Sequence, residues 1–158
     1  DVIVSMMIDF YRLPSDFPGF NDLKVTQTHQ EQANLLETRI KKDLEDSQNQ
    51  LFDNFIPYIQ LHEFEALVFA SISGIDSLFE RSEMDYNGLM NVIQQYPNPE
   101  DINNHPDTAP SVRLKKLISG YNKVLHGIDI INTVGMAELL EKCPRFKTWI
   151  ESMVEALV

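Results

Sequence analysis

Asp9, His62, Glu63 and Glu65 are the side chains around which this chain could organise chemistry. Asp9 closes the run VIVSMMI, and open α/β sheets place their ligands outside the carboxyl ends of such strands. The same position also suits an Asp that only caps a turn. HEFE, residues 62–65, follows directly on a second apolar run, FIPYIQL, from Phe55 to Leu61. Parallel pairing of the two runs would bring Asp9 and this second acidic group to one rim of the sheet. Hard cations such as Mg²⁺ and Mn²⁺ take oxygen ligands and usually only one or two protein carboxylates, so Asp9 with either Glu63 or Glu65 would suffice. The two glutamates stand two apart and point different ways on a helix, so one faces the site. The other fits a first helical turn, where the dipole favours an anion. His62 reads as a ligand, a general base or a packing histidine.

A second feature is a local reversal of charge. SVRLKKLISGYNKVLH, residues 111–126, carries Arg113, Lys115, Lys116 and Lys123 and no acidic residue. Arg113 and Lys116, three apart, share a helix face. An Arg can hold a phosphate bidentately while a Lys supplies a mobile point charge, so Arg113, Lys116 and Lys123 are candidate phosphate ligands. His126, like His62, is a candidate for proton transfer. The competing reading is a solvated helix face whose cations are neutralised by nearby acids. No glycine-rich phosphate loop, zinc-type Cys/His spacing or G-x-S-x-G elbow occurs. Cys143, the one cysteine, precedes Pro144 and reads as a packing residue.

These residues need elements to position them. Val2 to Ile8 predicts a strand buried on both faces. A loop punctuated by Pro14, Pro18 and Gly19 leads to Thr28, which with Glu31 forms a capping box opening a helix. Ala33, Leu36, Ile40 and Leu44 make its apolar stripe. Phe55 to Leu61 predicts a second strand, which Pro57 demotes toward an edge or a bulge. Strand, helix and strand suit a right-handed βαβ crossover. Phe64, Leu67, Val68 and Ile72 then continue at helical spacing. Helices are expected near 74–81, 85–95, 111–119, 121–126, 129–142 and 145–157. The proline-rich stretch 96–110 reads as a loop, and Trp149, Ile150, Met153 and Leu157 as the core-facing stripe of a terminal helix.

Composition bounds the function. The 158 residues are 43% hydrophobic and 23% charged, enough for a real core. No apolar run approaches the roughly 18 residues of a membrane span. With 13 basic against 24 acidic residues the net charge is -11, which repels phosphate backbones except at a local basic patch or through bound cations. One cysteine excludes an internal disulfide and points to a reducing, cytoplasmic setting. The chain starts at Asp1 and its first ten residues already read as a strand, so it is expected to be part of a longer gene product.

Four blocks, IDFYRLPSDFPGF, FIPYIQLHEFEALVF, PEDINNHPDTAPSVRLKKLISGYNKVLHG and CPRFKTWI, resemble the signature blocks of a bacterial family of unknown function. That family is grouped with Toprim-like proteins, near the RloB and OLD nuclease families. The resemblance implies a small α/β domain with a parallel sheet. It also implies a metal site built from a Glu in an E-G-type motif and a D-x-D-type pair after a later strand. This sequence has no E-G-type block. Asp9 matches the first acid of the pair, Tyr11 stands at the second, and Glu65 resembles the Glu of the F-E-x-W-type motif in RloB-like proteins.

The resulting expectation is an α/β chain. A partial Toprim-like parallel sheet with flanking helices spans 1–73, and a helix-rich half, 74–158, packs on it as one structural unit. Asp9 and Glu65 would ligate Mg²⁺ or Mn²⁺, with His62 and Glu63 in the same catalytic group. Arg113, Lys116, Lys123 and His126 would meet a nucleic acid or nucleotide. The expected chemistry is that of a metal-dependent nuclease or other phosphoryl-transfer protein in phage-defence or mobile-element loci, as a homo-oligomer or beside a partner ATPase, with no membrane. The alternatives are a non-catalytic protein-interaction module and a nucleotide-sensing regulator.

Overall fold

The computed structural model describes residues 2–103 and 105–157. The chain forms two compact units: the described residues up to Leu61 together with those from Thr148 on, and residues His62–Lys147.

The first unit is the expected α/β element. β1 (Val4–Asp9) and β2 (Phe55–Gln60) pair in parallel, from Val4 opposite Phe55 to Asp9 opposite Gln60. α1 (His29–Gln48) connects them. Its capping box is complete: Thr28 Oγ1 accepts the Glu31 N–H and the Glu31 carboxylate accepts the Thr28 N–H. Ala33 and Leu36 of α1 are fully buried against Ile59 and Leu61, and Ile8, Phe10, Leu13 and Phe17 close that core. Ile59 turns its N–H away from β1 to Glu37 Oε1, 2.7 Å away. Pro57 has the same parity as Ile59, so its missing N–H removes no bond of the ladder, and an edge position tolerates it. β1 is less buried than expected, exposed at Val4 and half-buried from Ser5 to Asp9, and β2 is the only strand paired with it among the described residues. Trp149 stacks on Tyr58 with ring centroids 4.6 Å apart, and its Nε1 donates to Ser5 Oγ. The stripe expected to face the core is half-buried at Trp149, Ile150 and Met153 and exposed at Leu157.

The second unit is helical. Phe64–Ala70 is a 3₁₀ segment, buried from Glu65 onward, where the apolar spacing predicted an α-helix. α2 (Ile72–Asp76) follows, shorter than the expected 74–81. α3 (Tyr86–Gln95), α4 (Pro110–Leu117) and α5 (Lys123–Lys142) come next, and α3, α4 and α5 pack on the 3₁₀ segment. α6 (Pro144–Glu155) begins here and continues into the first unit. The two helices expected at 121–126 and 129–142 are one run. Gly127 stays within it, and the break falls at Gly135, whose φ of 79° and ψ of 159° leave the helical region. A Cβ at Gly135 would meet no atom within 4 Å, so backbone conformation rather than space calls for glycine there. Among the described residues no helix is long and apolar enough to cross a membrane.

Candidate functional site

Three glutamates of the second unit are withdrawn from solvent: Glu63, Glu65 and Glu100. A buried carboxylate must replace its hydration with protein partners. Two of the three do so by capping helices far along the chain. Glu63 accepts the N–H and the hydroxyl of Ser111, at 2.9 and 3.0 Å, in the first turn of α4. Glu100 accepts the N–H groups of Arg145 and Phe146, at 2.9 and 3.0 Å, in the first turn of α6. The positive ends of the two helices meet anions there.

Glu65 is different. It is 0% exposed, and a lysine ammonium rather than a helix amide stands against it: Lys123 Nζ lies 2.8 Å from Oε2. Oε1 has no hydrogen-bond partner among the described residues, and neither has the buried hydroxyl of Tyr121. Burial pushes the Glu65 carboxyl above its usual range, while the Lys123 ammonium pulls it down. Burial, and then the charges of Glu65 and Glu63, push the Tyr121 hydroxyl up. Lys123 opens α5, where the helix dipole disfavours a cation. The Glu65 anion offsets that conflict. Three hydrogen bonds fix the turn: Asn122 Oδ1 accepts the N–H groups of Val124 and Leu125, and His126 Nδ1 accepts the Asn122 N–H. The chain enters this region through His62, which is buried and takes a left-handed backbone, φ 65°, a strained conformation for a β-carbon-bearing residue.

The other sequence candidates have these positions. Asp9 is half-buried at the last residue of β1, in the first unit, whereas His62, Glu63 and Glu65 belong to the second. Glu63 and Glu65 point to different helices, α4 and α5. Arg113 and Lys116 share a face: Arg113 Nε donates to the Thr108 carbonyl at 2.7 Å and Lys116 Nζ to the Asp107 carbonyl at 3.0 Å. The Arg113 guanidinium also lies 5.5 Å from the Tyr96 ring centroid. His126 meets Phe79 edge to face, at 4.9 Å. Cys143 is fully buried, and burial together with Glu100 pushes its thiol up, as befits a packing residue. Among the described residues no group of three or more His, Cys, Asp or Glu is arranged to hold a metal ion. Tyr121 and Glu100 escaped the sequence reading. Tyr121 sits inside the basic island beside Lys123, which was a usable signal; Glu100 is one acid in a loop, 45 residues from its partner.

A family model described as a domain of unknown function (DUF4276) matches residues 1–154. No curated protein matches the chain, and no solved structure does.

Proposed function

The chain belongs to the DUF4276 family of unknown function, and we propose that it is a Toprim-like, divalent-metal-dependent phosphoryl-transfer protein, with phosphodiester cleavage as its reaction class. One observation carries the reading. Of the three buried glutamates described in the second unit, Glu65 alone caps no helix, faces a half-exposed cation and keeps an oxygen without a partner. Perturbed, buried titratable groups of this kind gather at functional sites. The parallel β1–β2 pair, ending in Asp9, is consistent with the Toprim-like part of the proposal.

Glu65 Oε1 is an orphaned hard donor, which suits Mg²⁺ or Mn²⁺. Asp9, at the end of β1 in the first unit, is a candidate carboxylate in its own right. A bound cation would neutralise charge on the phosphoryl group. The chain's own residues do the rest. Lys123, Arg113 and Lys116 offer positive charge to an anionic substrate, a nucleic acid or a nucleotide. Glu63 contributes by holding α4, not by touching substrate. His126 has Nδ1 occupied by the Asn122 N–H, so any proton it exchanges passes through Nε2. His62 remains a proton-transfer candidate. By resemblance the setting is the bacterial cytoplasm, in defence or mobile-element loci, as a homo-oligomer or with a partner ATPase.

A non-catalytic interaction module is the rival, favoured by the exposed Val124, Leu125 and Ile128 on α5. Hydrolysis of DNA, RNA and nucleotides, with and without Mn²⁺, decides between the two. Cleavage that needs Mn²⁺ and falls by at least about 10–100-fold in Asp9→Ala and in Glu65→Gln is expected, the loss that even supporting ligands cause. Cleavage indifferent to Mn²⁺ or to both substitutions would end the proposal.

A further inference from the structure

Extending the proposed function, and resting on its anionic substrate, we infer that Arg113 and Lys116 form a phosphate-binding site on α4 that works without a metal ion. Their partners set these two cations apart. Arg39, Lys42, Arg81, Lys123 and Lys142 each stand within ion-pair distance of a carboxylate. Arg113 and Lys116 meet the carbonyls of consecutive residues instead: Arg113 Nε donates to Thr108 at 2.7 Å and Lys116 Nζ to Asp107 at 3.0 Å. Asp107 turns its carboxylate toward His105, 3.8 Å from Nδ1, and gives Lys116 only its carbonyl. A carbonyl orients a cation and leaves its formal charge for an anion to meet. In a chain of net charge -11, two such cations on one helix face make a local anion site.

The groups that orient them are themselves held. The His105 carbonyl accepts the N–H groups of Thr108 and Ala109, at 2.9 and 2.8 Å, and Thr108 Oγ1 donates to Asn103 Oδ1 at 2.6 Å. The carbonyls of Asp107 and Thr108 therefore belong to a turn closed by its own hydrogen bonds. Tyr96, at the end of α3, lies against the Arg113 guanidinium, 5.5 Å from ring centroid to Cζ, and restrains it from a second side. With Nε on Thr108, the two Nη groups remain to take two oxygens of one phosphate group, and the Lys116 ammonium keeps two N–H donors for a third. The ligand is a phosphate group, carried either by a nucleic-acid strand or by a nucleotide.

Fluorescence anisotropy of the full chain in EDTA tests the site, with a labelled single-stranded oligodeoxynucleotide in one arm and a labelled ATP in the other. Arg113→Gln and Lys116→Gln should each weaken binding about tenfold or more, the loss of a charged hydrogen bond. Lys115→Gln, which removes the same charge one residue away, should stay near wild type. On the oligonucleotide, Arg113→Gln and Lys116→Gln should each also flatten the slope of log affinity against log salt by about 0.7, the share of one phosphate contact. Binding in the first arm identifies a strand and in the second alone a nucleotide, and either supports the site. Wild-type affinity in Lys116→Gln, an equal loss in Lys115→Gln, or no binding of either probe in EDTA would overturn it. Binding that appears only with Mn²⁺ overturns this site and leaves the metal-dependent reaction standing. EDTA-resistant binding without Mn²⁺-dependent cleavage does the reverse. Arg113 also holds the Thr108 carbonyl, so if Arg113→Gln does not fold, the Lys115 and Lys116 variants decide alone.

Discussion

A carboxylate removed from water stays charged only if other groups replace its hydration, and the balance at Glu65 has a measurable pH signature. Burial raises its carboxyl above the ordinary 4.5, and Lys123 offsets only part of the shift. The folded chain therefore holds this proton at pH values where the unfolded chain has released it. The resulting stability is complete below about pH 4.5 and fades as pH rises through the folded value. Glu65→Gln has no proton to lose. Denaturant titrations from pH 4 to 8 should show wild type losing stability relative to Glu65→Gln as the pH increases. A constant or opposite difference would mean that Lys123 fully compensates the buried charge. Asp9, Glu65 and Lys123 could be picked from residue type and spacing, since acids after apolar runs and a basic island in an acidic chain are local signals. What each carboxylate contacts was not legible. Ser111 is 48 positions from Glu63, and no local pattern encodes that pairing.

At the scale of elements, the readable features are those whose causes lie within a few residues. The Thr28–Glu31 capping box, the apolar stripe of α1 and the parallel pairing of two β-branched runs are of this kind. The path of residues 64–70 was not. Phe64, Leu67 and Val68 satisfy an α-helical spacing, but a segment buried on nearly every side has no polar face to fix its period, and it winds with three residues per turn. Gly127 and Gly135 show the same limit: both are glycines in an apolar helix, and only tertiary context decides which one breaks it. Glu63 belongs to this scale because it works through α4. Glu63→Gln places an amide against the Ser111 donors and should destabilise the fold by about 1 kcal/mol. Urea unfolding of Glu63→Gln and Ser111→Ala, singly and together, measures it. Non-additive losses are expected, and fully additive ones would separate the two residues.

For the whole molecule, a net charge of -11 makes phosphate chemistry a matter of local design. The α/β class and the helix-rich second half follow from patterning alone. The different partners of the buried glutamates are visible only in the folded chain, and the proposed function rests on them: Glu63 holds α4 through Ser111, whereas Glu65 faces Lys123 and is the residue proposed to bind or react. Mn²⁺-dependent phosphodiester cleavage by Glu65→Gln and Glu63→Gln, side by side and at matched folded fraction, tests that division most directly. The account predicts that Glu65→Gln loses activity by about 10–100-fold or more while Glu63→Gln keeps it. Full activity in folded Glu65→Gln, or an equal loss in folded Glu63→Gln, would contradict it.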